Sequence, residues 1–189
     1  MSQTSVPRWA WDASAPAAEP DLRGRVFTLV VLPGAGDVAD RWSTALAGRD
    51  VRRHECGDVD AAVAALRADL AVARVGHRVL VAGTARECLA VRAAGVRAGL
   101  GDDEMAFGVV DTAERAVWCV HCDATTHAAV ELEAVVPCTG CGRRLLVYPH
   151  VSRLTGAHLG FMVDAETPAD GSAARPADGS AARSEGEAA

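Results

Sequence analysis

The sequence predicts an α/β fold: a small parallel sheet layered with helices, followed by a separate four-cysteine ribbon. Three observations carry this reading. Strand-length apolar runs alternate with helix-length amphipathic segments between residues 23 and 112. The strand runs are continuously apolar rather than alternating, as in strands covered on both faces. Two Cys-x2-Cys pairs then follow, Cys119 with Cys122 and Cys138 with Cys141. A chain of 189 residues has room for one modest domain and a small appendage, since single cores typically span about 100 to 150 residues. The expected division is an N-terminal arm at 1–22, the α/β domain at 23–112, the ribbon at 113–166 and a disordered tail at 167–189.

In chain order, Met1 to Leu22 mixes Ser, Ala and Pro with Trp9 and Trp11. That composition suits an arm lying on a surface, with a loose leader as the alternative. Val26 to Leu32 is the first strand, and a glycine turn leads to Asp37, expected to cap a helix running toward Ala47. Val51 to His54 is a short second strand. Asp58 caps the next helix, whose Val59, Ala62, Val63, Leu66 and Leu70 recur along one face. Arg78 to Ala82 is a third strand, and Thr84 with Glu87 forms a reciprocal cap on a helix ending near Gly99. Met105 to Val110 is the fourth strand. Helices of this length between strands imply right-handed crossovers and a parallel sheet. The tail repeats PADGSAAR at 168–175 and 176–183 with almost nothing apolar to bury, hence its expected disorder.

Composition narrows the function. The 25 acids against 19 bases give a net charge of −6, which argues against a nucleic-acid binder. All the bases are arginine, and lysine, isoleucine and asparagine are absent. Such a bias reads as coding composition, so arginine abundance says little about function. No apolar run approaches the roughly 18 to 20 residues that cross a bilayer, and the first residues lack an export signal. A cytoplasmic, reducing location is therefore expected, where cysteines serve metals or chemistry.

WCVHC at Trp118 to Cys122 and CTGCG at Cys138 to Gly142 enclose fifteen residues, giving Cys-x2-Cys-x15-Cys-x2-Cys. This is the spacing of a four-thiolate zinc site. Each pair makes a tight knuckle, and the intervening residues are expected to form a short hairpin bringing the knuckles together. Four thiolates on Zn²⁺ carry a charge of about −2, which knuckle amides and Arg143 and Arg144 would offset. Gly140 and Gly142 permit the turns. Iron in a rubredoxin-like site uses similar knuckles, and spacing does not separate it from zinc. A Cys3His set drawing on His121, His127, His150 or His158 is an alternative, although four cysteines already close the coordination shell. A closed shell marks a structural ion rather than a catalytic one. Cys56 and Cys88 read as small buried hydrophobes.

Gly34-Ala35-Gly36-Asp37-Val38-Ala39 follows the first strand and matches the loop that seats a pyrophosphate at a helix start. Glu55 stands where a ribose contact would fall. Asp37 and Asp40 oppose that use, since they place negative charge where phosphate would arrive; a plain turn explains the same residues. Gly34, Gly36 and Glu55 are nonetheless the candidate NADP-binding residues. No Gly-x-Ser-x-Gly elbow or other nucleophile–base pair is visible, so no catalytic residue is assigned.

From the first knuckle through Glu166, with Tyr148, His150, Val151, Ser152, Arg153, Gly156, Gly160 and Phe161, the sequence resembles the C-terminal domain of the small subunit of dimethylamine monooxygenases. Leu80 to Gly108 looks like the nicotinamide-binding half of ferredoxin reductases, a Rossmann-like unit, although it is shorter and lacks a flavin-binding partner domain. The first resemblance implies a multisubunit, heme-dependent oxidative N-demethylase. In such enzymes other chains carry heme, flavin and iron–sulfur groups and convert dimethylamine to methylamine and formaldehyde with NADPH and oxygen. This chain would be the zinc-binding accessory subunit, with a structural or docking role. The alternative is an NAD(P)H-binding oxidoreductase or a rubredoxin-like electron carrier.

Overall fold

The computed structural model describes residues 6–12 and 14–163; the tail expected at 167–189 lies outside the described residues. Strands Val26–Val31 (β1), Asp50–Glu55 (β2), His77–Thr84 (β3) and Met105–Asp111 (β4) form a parallel sheet in the order β2-β1-β3-β4. Successive side chains of β1 point to opposite faces, so its unbroken apolar run supplies two cores. Helix α1 (Gly36–Ala45) covers Phe27, Leu29 and Val31 with Val38, Ala39 and Trp42. Helices α2 (Val59–Leu70) and α3 (Ala85–Arg97) cover Val30 and Leu32 with Ala62, Leu66, Cys88 and Val91. β2 stands at the sheet edge and carries Arg52, Arg53 and His54, a charged edge that resists pairing with another chain.

Local capping explains two of the helix starts. Asp58 accepts a 2.8 Å bond from the Ala61 amide, and Thr84 and Glu87 satisfy each other's free amides. Gly99, at φ +96°, ends the turn after α3. The third expected cap is corrected: Ala35 is the N-cap of α1 and Asp37 lies inside the first turn. Gly34 at φ +80° swings the chain into the helix before Asp37 is reached. There the carboxylate can still favour the positive helix end without capping it.

A polar network interrupts the second core. The Thr28 hydroxyl donates to Asp69 Oδ2 at 2.6 Å and lies 2.9 Å from His77 Nε2. Asp69 also meets His54 at 2.9 Å and Arg52 at 3.2 Å. Burial alone would raise the Asp69 carboxyl, but the bonds from Thr28, His54 and Arg52 outweigh it and hold the group below its usual range. β1, β2, β3 and the end of α2 are thereby tied at one point.

Strands Glu114–Cys119 (β5), Thr125–Ala129 (β6), Val135–Pro137 (β7), Arg144–Val151 (β8) and His158–Met162 (β9) form a second sheet in the order β6-β5-β9-β8-β7. Its pairings are antiparallel except for β5 with β9. Val117, Val136, Leu145 and Val147 line its inner face. The sheet curls until its edges meet, because Thr126 of β6 accepts the amide of Thr139, just past β7, at 3.0 Å. The fifteen residues between the cysteine pairs are thus not one hairpin: they supply β6 and β7, which stand at opposite edges of the sheet.

The described part of the arm packs between the two sheets. Trp9 stacks on Phe107 with centroids 4.6 Å apart. Val6 and Ala10 bury against Ala85, Leu89 and Val151, and the buried Arg115 bonds the Ala10 carbonyl at 3.3 Å. Arg86 to Glu114 at 2.6 Å adds an ion pair across the junction.

Candidate metal centre

Both cysteine pairs sit at turns at the same end of the second sheet, since β5 and β7 run in the same direction. The turns share one construction. Cys119 bonds through its amide to the Ala124 carbonyl at 2.9 Å, and through its carbonyl to the Asp123 amide at 3.0 Å. Cys138 does the same with Arg143 at 2.8 Å and Gly142 at 2.9 Å. Each loop needs a left-handed residue one place before it rejoins its strand; Asp123 at φ +61° and Gly142 at φ +71° supply it, both from residue types that tolerate this conformation. The knuckles touch at Gly140, where an added Cβ would come within 2.7 Å of the Ala124 methyl and 3.1 Å of the Cys122 sulfur.

The four sulfurs lie within 4.8 Å of one another. Cys119 and Cys141 are 3.8 Å apart and Cys122 and Cys138 are 3.5 Å apart, far longer than the roughly 2.05 Å of a disulfide. Four sulfurs held about 2.3 Å from one tetrahedral ion have edges of about 3.8 Å. The donor set and its spacing therefore fit a single ion of zinc size. Among the described residues this metal-ligand group consists of the four cysteines, and no histidine joins it.

Charge at the centre is shared unequally. Amides of Cys141 and Gly140 aim at the Cys138 sulfur at 3.5 and 3.4 Å. They pull its thiol down to about 6. The Arg143 amide, with help from its side chain, lowers Cys141 against the effect of burial. At Cys122 the Ala124 amide also pulls down, but burial and the neighbouring thiols of Cys138, Cys141 and Cys119 prevail and push it up to about 12. Thiolates crowded this closely repel one another, and a central cation would offset that repulsion. Of the two arginines expected to offset residual charge, Arg143 does contact the centre and also bonds His121 at 3.1 Å; Arg144 is exposed on the strand beyond it.

The glycine-loop residues also come together. Gly34, Gly36 and Glu55 border a cleft of about 450 Å³ at the carboxyl ends of β1 and β2, beside Leu32, Pro33 and Cys56. No basic side chain lines it, and the Glu55 carboxylate is taken by Arg53 at 2.7 Å. Cys88 is fully buried and Cys56 partly so, and burial raises both thiols.

Sequence reasoning missed two polar arrangements. Asp69 falls on the buried stripe of α2 with Ala62 and Leu66, a carboxylate at a core position that signalled an internal partner. The Thr126–Thr139 clamp left no such signal, because it joins strands that pair with neither each other nor a common neighbour.

A family model for the C-terminal domain of DmmA-like dimethylamine monooxygenase subunits matches residues 116–161. The heme-dependent oxidative N-demethylase delta subunit of Ectopseudomonas mendocina (strain ymp) is 33% identical over 171 residues, covering 88% of this chain and 93% of the relative. The chain belongs to the DmmA-like family. The matched DmmA-like segment runs from within β5 to within β9 and contains all four cysteines. No solved structure matches the chain. Among the described residues, no helix is long and apolar enough to cross a membrane.

Proposed function

We propose that this chain is the zinc-stabilised accessory subunit of a heme-dependent oxidative N-demethylase acting on dimethylamine. On this reading residues 23–112 form a Rossmann-like scaffold that carries the ribbon, and residues 113–166 form a zinc ribbon that docks the subunit onto its partners. Heme, flavin and iron–sulfur chemistry belong to other chains, and the subunit works in the reducing cytoplasm. The observation that carries the reading is the four-sulfur cluster, set inside the segment that matches the family's C-terminal domain.

Bound zinc would supply folding stability to a unit whose own core is small. Cys119, Cys122, Cys138 and Cys141 would hold it, Thr126 and Thr139 would fix the approach of the two knuckles, and Arg143 would screen the thiolates. A closed shell of four sulfurs leaves no position for water or substrate, which fits a structural role.

Two measurements test this. Elemental analysis of the purified chain should give one zinc per chain and a colourless protein; stoichiometric iron with visible absorbance would favour the electron carrier. The tagged chain, expressed with its oxygenase partners, should bring down a heme-containing protein, and recovery as a free monomer would sink the subunit reading. A second reading, NADP binding at Gly34, Gly36 and Glu55, is favoured by their convergence on one cleft. A null result in an NADPH titration of the pure chain would remove it.

A further inference from the structure

The four sulfurs divide by exposure as well as by sequence. Cys119 and Cys138 are buried, whereas Cys122 and Cys141 are partly exposed. The 3.5 Å contact joins partly exposed Cys122 to buried Cys138, and the 3.8 Å contact joins partly exposed Cys141 to buried Cys119. Both contacts run between the knuckles. Each couples a sulfur that a small solute can reach to one that is shielded, the layout of an attacked thiol and its resolving partner. Closing either contact to the roughly 2.05 Å of a disulfide shortens it by less than about 2 Å.

Contacts other than a bound ion also hold the knuckles together. Thr126 accepts the Thr139 amide at 3.0 Å, and Gly140 packs against Ala124 and the Cys122 sulfur. β5 pairs with β9 as far as Cys119 and Gly160, which fixes the first knuckle to the sheet. A covalent link from one knuckle to the other therefore takes over the joining role of an ion. A link inside one knuckle joins nothing new.

We propose that the four cysteines form a hydroperoxide-sensitive switch, in which oxidation links Cys122 to Cys138 and Cys119 to Cys141, releases zinc and leaves the ribbon folded. The proposal rests on the zinc reading above. In each pair the partly exposed thiolate attacks one peroxide oxygen, and the O–O bond breaks to give a sulfenic acid and a hydroxide that takes up a proton. The buried thiolate then attacks that sulfur, and the S–O bond breaks with loss of a second hydroxide, again protonated to water. Each pair thus gives two electrons to one peroxide and forms two waters, so two peroxides oxidise the whole centre. Disulfide sulfurs carry no negative charge to hold a cation, since the thiolate is the metal ligand. Thiol reductants reverse both bonds by exchange.

The test uses the purified full chain loaded with zinc and treated with hydrogen peroxide, while a chromophoric indicator follows free metal. Cleavage after Glu131 and Glu133, both exposed, separates the two cysteine pairs, so mass spectrometry of thiol-blocked digests reads the links. The expected result is loss of all bound zinc for about two peroxides consumed, with peptides joined through Cys122–Cys138 and Cys119–Cys141. The far-UV circular dichroism should keep its strand signal, and dithiothreitol with added zinc should restore the starting stoichiometry. Any other pairing of the four cysteines, or sulfinic acids in place of disulfides, overturns the proposal while leaving the zinc reading intact. Zinc retained after the thiols are oxidised, or a strand signal lost on release, has the same consequence. A chain that holds no stoichiometric zinc before treatment sinks both.

Discussion

Gly156 lies against the backbone of Leu89 so closely that a Cβ on the glycine would stand 2.5 Å from the Leu89 carbonyl oxygen. This contact presses the β8–β9 loop onto α3, and Gly156 is also at φ +75°, a conformation that side chains disfavour. Gly156→Ala therefore meets two penalties. The backbone conformation alone costs about 1–3 kcal/mol, and the clash forces the loop off the helix. A lowered denaturant midpoint and faster proteolysis between the two units are expected; an unchanged midpoint would mean that the loop does not hold the junction.

Thr126 bonds both the amide and the hydroxyl of Thr139, at 3.0 and 3.3 Å. Thr126→Val keeps the volume and all four thiolates while removing the clamp between the knuckles. Supporting bonds of this kind are worth about 10- to 100-fold in metal affinity. Competition with a chromophoric chelator should show a loss in that range, with secondary structure retained at saturating zinc.

Removing a thiolate is more severe. Cys138→Ala deletes the sulfur that receives amides from both Gly140 and Cys141 and opens the shell. Zinc stoichiometry should fall below one, and chelation of the parent should lower its thermal midpoint while leaving the metal-free variant indifferent. Equal chelator sensitivity in both would rule the cluster out as the metal site.

His158 is buried in the second sheet, where its Nδ1–H points at the Tyr148 carbonyl at 3.4 Å and its Nε2 has no partner among the described residues. Burial first, and then the charge of Arg115, pull its pKa from 6.5 down to about 4. As pH falls through 6.5 the unfolded chain gains a proton that the folded chain refuses, so stability declines until about pH 4. From pH 7 to pH 5 the loss attributable to this group is about 2 kcal/mol. Urea titrations at the two values, with zinc saturating, should show that extra loss in the parent and not in His158→Leu.

Asp69 gathers bonds from Thr28, His54 and Arg52. Asp69→Ala leaves the Thr28 hydroxyl buried without its acceptor and frees the edge strand from α2. A cost of about 2–3 kcal/mol is expected in equilibrium unfolding; a change below about 0.5 kcal/mol, the usual size for a surface substitution, would show the network to be ornamental. With the Asp69 carboxyl held below its ordinary value, its contribution is present above the unfolded pKa and disappears as pH falls through the folded one.

Features set within a few residues were legible in the sequence. The continuous apolar runs of β1 and β3, the Asp58 cap and the Thr84–Glu87 pair depend on neighbours along the chain, and each is found where the pattern puts it. The cysteine pairs belong to the same class, because two residues between ligands already form a knuckle. Asp37 failed as a cap since the turn at Gly34, rather than the nearest carboxylate, decides where α1 begins.

By itself, then, the sequence determined the element types of the first sheet and its helices, most helix ends and which four cysteines come together, all consequences of short-range sterics and hydrogen bonding. Tertiary structure alone decided that β5 pairs in parallel with β9, a contact between segments about forty residues apart whose closure no local pattern encodes. That pairing curls the second sheet, and the curl chooses which alternate residues of β8 and β9 are buried. Leu145 and Val147 go inward and Tyr148 and Phe161 face out, because alternation along a strand fixes two faces but only packing says which one meets the core.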